Sequence, residues 1–238
     1  MPGLVHFLPI LTTAVALAFA VALVRRWLER RSGPHLLWWA AGALTYAIGT
    51  ATEASTTLFG WREPVFRAWY IAGALLGGAP LAQGTVYLLL SRRTAHRLTA
   101  LLLAVIVVAA TCVVLSPVTP PPADAHRLTG RVLEWTWVRA FSPFINLYAL
   151  TFLVGGAALS AARYARAVDS PHRAAGNTLI AAGALLPGIG GAFTRFGHVE
   201  VLYVTELIGL LLIIAGYHTI TRRPSSGVSD APAPVPAR

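Results

Sequence analysis

Seven stretches of about 20 mostly apolar residues constrain this chain more than any other feature, since a helix of that length spans the hydrocarbon core of a bilayer. Five of them contain no Asp, Glu, Lys or Arg, and the other two contain one acid each, Glu53 and Glu206. The stretches are Leu4–Val24, Leu36–Thr57, Ala68–Leu90, Leu98–Ser116, Ala140–Ala161, Gly176–Phe193 and Val201–Ile220. The sequence therefore predicts an all-α polytopic membrane protein, a bundle of seven transmembrane helices.

The composition supports this prediction and excludes several other classes of protein. Hydrophobic residues make up 56% of the 238, and charged residues only 12%, against about 25% in a typical soluble domain. A soluble fold of this size cannot bury so much apolar surface while exposing so few charges. The single cysteine, Cys112, cannot form an internal disulfide. An ordinary soluble enzyme, a disordered chain and a disulfide-stapled secreted module are therefore excluded.

The basic residues predict the orientation in the membrane. The net charge is +10, and all nineteen basic residues are Arg. They occur in short clusters between apolar runs, which is typical of membrane loops and not of a nucleic-acid-binding face. Thirteen lie in the tail and in the connections after the first, third and fifth stretches, and six lie on the other side. We expect a plasma-membrane protein with its N-terminus outside, its C-terminus in the cytoplasm and an uncleaved first helix.

An internal repeat is a second organising hypothesis. Residues Ala40–Leu44 recur as Ala181–Leu185, and five shorter matches follow the same order at similar offsets. If the repeat is real, the chain contains two parallel copies, formed by helices 1–3 (1–93) and helices 5–7 (139–223). Helix 4 (97–117) and an outer loop (118–138) join them, and a disordered tail follows at 224–238. Such repeats are typical of transporters. The alternative is the general similarity of helices rich in Ala and Gly.

Three segments carry a resemblance to known proteins. Residues Gly60–Tyr70, Gln83–Leu89 and Gly176–Gly183 resemble an uncharacterised family of prokaryotic seven-span membrane proteins, which implies the same fold but no activity. The repeat plan is loosely similar to that of three-plus-one-plus-three carriers of the SWEET and PnuC type. Their substrate motifs are absent from this sequence, so the resemblance assigns no residue a role.

The candidate ligand-binding residues are polar groups within the apolar stretches, because such groups are costly in a bilayer and are retained for function. At ~1.5 Å per residue, Glu53 and Glu206 lie about 7–9 Å below the outer boundary. Arg195 and Asn146 share that depth, and Tyr46 belongs to the helical stripe of Glu53. We expect these residues to line an outward-facing cavity. A Glu53–Arg195 ion pair would either join two helices or bind ligand.

Two features leave alternatives open. Gln83, in the inner half of the third stretch, either forms interhelical hydrogen bonds or marks the inner end of a conduction path. The sixth stretch contains Pro187 beside Gly188, Gly190 and Gly191. These residues predict either tight helix packing or a broken helix beside a binding site.

The expected function is that of a carrier or channel which binds a small solute within the bundle. The alternatives are a sensory, receptor-like module that binds a small or lipidic ligand and signals through a partner protein, and a structural protein without a ligand. No catalytic motif, metal-ligand set or paired intramembrane histidine occurs, so we expect no enzyme, no metal and no cofactor. Without lysine, no Schiff-base cofactor can attach. The expected partners are the lipid bilayer, a small-molecule ligand and a membrane or signalling protein, with no nucleic acid.

Overall fold

A computed structural model of the protein describes residues 3–31, 33–121, 128–167 and 170–221, with the backbone alone at Arg195. The predicted disordered tail, 224–238, lies outside these residues. Helices account for almost all of the described chain, and no strand occurs in it. The helices are α1 (Leu8–Arg30), α2 (His35–Phe59), α3 (Glu63–Trp69), α4 (Ala79–Leu89), α5 (Arg92–Leu115), α6 (Phe141–Ala149), α7 (Gly156–Ala165), α8 (Pro171–Phe193) and α9 (Val199–Thr221).

Short turns of other helix types join several of these helices into longer ones. The π-helical segment Tyr70–Leu76 leads from α3 towards α4, and the π-helical segment Leu150–Gly155 joins α6 to α7. We call α3–α4 the third long helix and α6–α7 the fifth. Six helices in the described chain are long and apolar enough to cross a membrane: Leu4–Arg30, Glu63–Leu89, Arg92–Leu115, Thr136–Ala165, Pro171–Phe193 and Val199–Thr221. The chain is therefore a multi-pass integral membrane protein.

The helix α2 is the one predicted span outside this group of six. It has 25 residues, but its polar and small residues make it less apolar than the others. It packs against α1, α4 and α9, and its buried residues are mostly Ala, Gly and Thr. Thr50 is 2% exposed and its hydroxyl lies 2.8 Å from that of Thr13 on α1. The polar side of α2 thus faces protein.

Glycines hold α8 and α9 in close contact. Gly176, Gly183 and Gly190 recur at seven-residue spacing along α8, and Gly209 and Gly216 do so along α9. A Cβ on Gly183 would lie 2.5 Å from the carbonyl oxygen of Gly209, so the two backbones touch. The helix α8 is continuous through Pro187. Within the stretch around Pro187, Gly190 packs closely against Thr205 of α9, whereas a Cβ on Gly188 or Gly191 would meet no atom within 4 Å.

The interruption occurs instead in the third long helix. Gly77 has φ +46°, a conformation that only glycine adopts without strain. The π-helical turns before it leave backbone carbonyls without their usual partners. Asn146 of α6 donates from Nδ2 to the carbonyl oxygen of Ala74 at 3.1 Å. A side chain of the fifth long helix therefore satisfies a carbonyl close to the break, as the membrane interior requires.

The connection between α5 and α6 caps one end of the bundle. Its two ends pair through the amide of Thr119, which donates to the carbonyl of Val132 at 2.9 Å. Leu133 is 1% exposed and Val138 is fully buried. The guanidinium of Arg67 donates to the carbonyls of Val113 and Ser116 at the end of α5. We call this end of the bundle, where α2 and α8 terminate and α9 begins, the capped end.

Candidate functional site

A cavity of about 170 Å³ lies at the capped end of the bundle. Its walls come from the end of α2, the third long helix, the capping connection, the residue after α8 and the first turns of α9. The lining residues are Glu53, Trp69, Leu128, Thr129, Gly130, Arg131, Thr194, Val199, Leu202 and Tyr203. The volume corresponds to roughly five or six waters at about 30 Å³ each. The cavity therefore has room for a small solute.

Glu53 is the acidic residue that lines this cavity. Its side chain is nearly enclosed, with 6% of the residue exposed. One carboxyl oxygen, Oε1, accepts a hydrogen bond from Nε1 of Trp69 at 3.0 Å. The other, Oε2, is buried, and no nitrogen or hydroxyl group of a described residue donates to it. A buried carboxyl with an unsatisfied oxygen costs free energy, so its retention calls for a ligand or a proton.

Glu206 lies beside Glu53. The two carboxyl groups are neighbours, although Glu206 is not among the residues that line the cavity. Oε2 of Glu206 is also buried, and no nitrogen or hydroxyl group of a described residue donates to it. Tyr46 of α2 donates from its hydroxyl to the main-chain carbonyl of Glu206 at 2.9 Å, which fixes α9 against α2 at this level. We call Glu53 and Glu206 the carboxyl pair. Two adjacent carboxylates repel each other, so a proton or a cation must lie between them.

Of the six predicted site residues, Glu53 lines the cavity. Glu206 and Tyr46 lie next to it without lining the cavity. Asn146 does not line the cavity, because its amide is bound to the carbonyl of Ala74. In this conformation Asn146 therefore lies apart from the two acids, because depth along a helix axis does not fix the face from which a side chain projects. The side chain of Arg195 lies outside the described part of the structure, so the Glu53–Arg195 ion pair stays a prediction.

Gln83 belongs to a separate polar cluster, away from the capped end. It is fully buried, and its Nε2 donates to the carbonyl of Ala95 at 3.2 Å and to the hydroxyl of Thr99 at 2.7 Å. Its Oε1 accepts from the hydroxyl of Tyr148 at 2.5 Å. These contacts join α4, α5 and α6. Of the two alternatives for Gln83, the interhelical hydrogen bonds are observed.

A second, smaller cavity of about 20 Å³ lies in the half of the bundle away from the cap. It has room for about one water. Apolar and aromatic side chains surround it: Phe19, Trp39, Leu81, Leu153, Ile180, Ile213 and Tyr217. Of these two cavities, the one at the capped end is the larger. Close backbone contacts at Gly84, Gly176 and Gly216 show tight packing in the other half.

Several lining residues were missed by sequence reasoning. Trp69 lies near the end of a predicted span, a position that favours an interfacial anchor, yet it donates to Glu53. Tyr203 lies three residues before Glu206, and this spacing places both side chains on one face of α9. That signal was available in the sequence. Arg131 and its neighbours come from the capping connection, and no periodic pattern links this segment to Glu53.

The described residues contain no group of three or more His, Cys, Asp and Glu side chains that could hold a metal ion. Comparison of the chain with family models, curated proteins and solved structures found no match. The resemblance to a seven-span family and the three-plus-one-plus-three plan therefore stay predictions. The site has to be interpreted from its own geometry.

Proposed function

We propose that this protein is a membrane carrier whose solute enters the cavity at the capped end and binds at the carboxyl pair. The observation that carries the proposal is the position of Glu53, which is buried, lacks a donor on Oε2 and lines an open cavity. Intramembrane acids are costly and are usually functional. A purely structural bundle gains nothing from a carboxyl pair with two unsatisfied oxygens beside a cavity, because apolar side chains would pack there at lower cost.

The proposal includes seven transmembrane helices, with α2 as the second, and the capped end facing outside. The packing of α2 against α1, α4 and α9 supports this arrangement, since its polar residues contact protein and need not meet lipid. The arginine bias supports the orientation. In a C112A background, Arg31→Cys and Arg62→Cys should react with a membrane-impermeant maleimide from opposite sides. Reaction from the same side would show that α2 does not cross.

A carrier must also expose its site to the other side of the membrane, and the third long helix supports such a movement. Its π-helical segment and its break at Gly77 lie between the two halves of the helix. Irregular turns of this kind are common where helices bend. The described conformation corresponds to one in which the site is open at the capped end and the other half is packed.

Sensing is the second candidate function. The observation that favours it is the close packing of the half away from the cap, where Gln83 has its hydrogen bonds satisfied. A receptor needs a ligand site on one side and a helix shift, but no passage. Flux separates the two functions, because only a carrier exchanges labelled solute across a sealed membrane.

The test is counterflow in proteoliposomes with radiolabelled amino acids, amines, carboxylates and polyols. The Glu53→Gln variant should lose the flux of whichever solute the wild type carries while its thermal stability stays similar. Glu200→Gln is the matched control, because Glu200 is an exposed acid at the start of α9 that does not line the cavity. Loss of stability with unchanged flux would show that Glu53 is only structural. Wild-type binding without flux of any solute would favour the sensor.

A further inference from the structure

We infer that the cavity takes a small zwitterion, with an ammonium group at the carboxyl pair and an anionic group at Arg131. The inference rests on the proposed function and names the class of solute for the same site. Both kinds of charge line one cavity, since Glu53 is at its buried part and Arg131 is on the exposed capping connection. A solute with one charge would leave one of these groups unmatched.

The carboxyl pair suits an ammonium group because it offers acceptors and lacks donors. Oε2 of Glu53 and Oε2 of Glu206 are both buried without a donor among the described residues. An ammonium group has three donors and no acceptor, so a group bound at Oε2 of Glu53 also offsets the negative charge of the neighbouring Glu206. Trp69 already donates to the other oxygen of Glu53, which orients the carboxyl and leaves Oε2 as the open acceptor.

Aromatic walls favour an organic cation over a bare metal ion. Trp69 and Tyr203 both line the cavity, and aromatic rings attract ammonium groups. Calcium and magnesium ions need about six or more oxygen ligands, whereas the described residues place two carboxyl groups here and form no larger metal-binding group. A proton alone would satisfy the pair but would not account for a cavity of about 170 Å³.

Arg131 is held where it can bind the anionic end. The amide of Arg131 donates to the hydroxyl of Thr129 at 3.3 Å, which shapes the short turn Gly130–Val132. Gly130 packs against the ring of Tyr70, since a Cβ there would lie 2.6 Å from Cε2 of that ring. The guanidinium is the group that best matches a carboxylate or a phosphate, because it donates two parallel hydrogen bonds.

A zwitterion of this kind has two sources, a free amino acid or the headgroup of an aminophospholipid. The experiment therefore uses purified protein in nanodiscs of phosphatidylglycerol, which has no ammonium group. Calorimetric titration is carried out with α-aminobutyrate, γ-aminobutyrate, butylamine, butyrate and 1-butanol. At least one amino acid should bind about tenfold to a hundredfold more tightly than butylamine, butyrate and butanol, because each charged end adds charge-assisted hydrogen bonds.

Two variants assign the two ends. Glu53→Gln should remove the preference for the amino acid over butyrate, and Arg131→Gln should remove the preference over butylamine. Glu200→Gln and Arg139→Gln are the matched controls and should keep both preferences, since neither residue lines the cavity. Arg131 is exposed, so its variant tests the site without disturbing the core.

A second set of nanodiscs contains phosphatidylethanolamine. If this lipid abolishes amino-acid binding in the wild type, the headgroup of phosphatidylethanolamine occupies the same site. Equal affinity for the amino acid and for butylamine or butyrate, or no binding of either amino acid in both sets of nanodiscs, would overturn the inference. Counterflow of a polyol or of a singly charged solute that depends on Glu53 would then leave the carrier proposal standing.

Discussion

Replacing Gly183 by alanine should destabilise the bundle, although alanine is the better helix former. A Cβ at this position would lie 2.5 Å from the carbonyl oxygen of Gly209 and 2.9 Å from the Cβ of Leu212. Carbon and oxygen atoms in close contact are normally about 3.3–3.6 Å apart, so α8 and α9 would have to separate by about 1 Å. The obstacle is main chain, which cannot rotate away as a side chain can.

The size of the effect follows from two opposing contributions. Overpacking costs about 1–3 kcal/mol, and the gain in helix propensity from glycine to alanine offsets about 1 kcal/mol of it. The free energy of unfolding should therefore fall by up to about 2 kcal/mol. Gly188 is the matched control on the same helix, because a Cβ there meets no atom within 4 Å. Gly188→Ala should raise stability by about 0.5–1 kcal/mol.

The assay is unfolding of the purified protein in mixed micelles with increasing sodium dodecyl sulfate, followed by circular dichroism. The two variants should differ by about 0.5–3 kcal/mol in the free energy of unfolding, with Gly188→Ala the more stable. If Gly183→Ala were as stable as Gly188→Ala, the α8 and α9 backbones would not touch at Gly183. The close packing of these helices would then have to be abandoned.

Three further substitutions test contacts at the capped end and in the bundle centre. Trp69→Phe keeps a ring but removes the donor to the cavity carboxyl, so thermal unfolding should show a loss of about 1–3 kcal/mol; unchanged stability would contradict that hydrogen bond. Arg67→Gln removes donors to two carbonyls at the end of α5 and should cost about 1–3 kcal/mol. The control is Glu63→Gln, because Glu63 forms an exposed ion pair with Arg67; this change should cost less than about 1 kcal/mol. Equal losses of stability for Arg67→Gln and Glu63→Gln would refute the contacts of Arg67 with the two carbonyls. Tyr148→Phe leaves Oε1 of Gln83 without its donor and should lower the free energy of unfolding by about 1–2 kcal/mol. An unfolding midpoint equal to that of the wild type would refute this contact.

Six of the seven predicted spans coincide with helices that are long and apolar enough to cross a membrane. The length of an apolar run is a local property, and it is therefore readable from the sequence. The helix α2 shows where this reasoning stops. Its 25 residues form one helix as predicted, but its hydropathy is lowered by the residues that it buries against other helices. Whether such a helix is in contact with lipid depends on tertiary packing.

The sequence predicted the depth of the candidate site residues in the bundle, but not the direction in which each side chain projects from its helix. Counting residues from the ends of α2 and α9 placed Glu53 and Glu206 at one level, and the two carboxyls do lie together. Asn146 lies at a similar depth on its own helix but projects towards the break in the third long helix. Angular position about a helix axis depends on the neighbours of that helix. One sequence without tertiary contacts does not contain this information.

The surroundings and backbone conformation of each glycine explain why the third long helix is interrupted and α8 is not. At Gly183 and Gly209, a Cβ would clash with the main chain of the opposing helix, so the absence of a side chain permits close helix contact. The helix α8 stays continuous, even at Pro187. At Gly77 the backbone itself is left-handed, and the helix cannot continue through it. The sequence Gly77–Gly78–Ala79–Pro80 predicts this break better than the stretch around Pro187 does, because proline suits the first turn of the new helix α4. Glycine frequency alone therefore does not locate a break in a helix, whereas a glycine pair followed two residues later by a proline in the first turn of a new helix does.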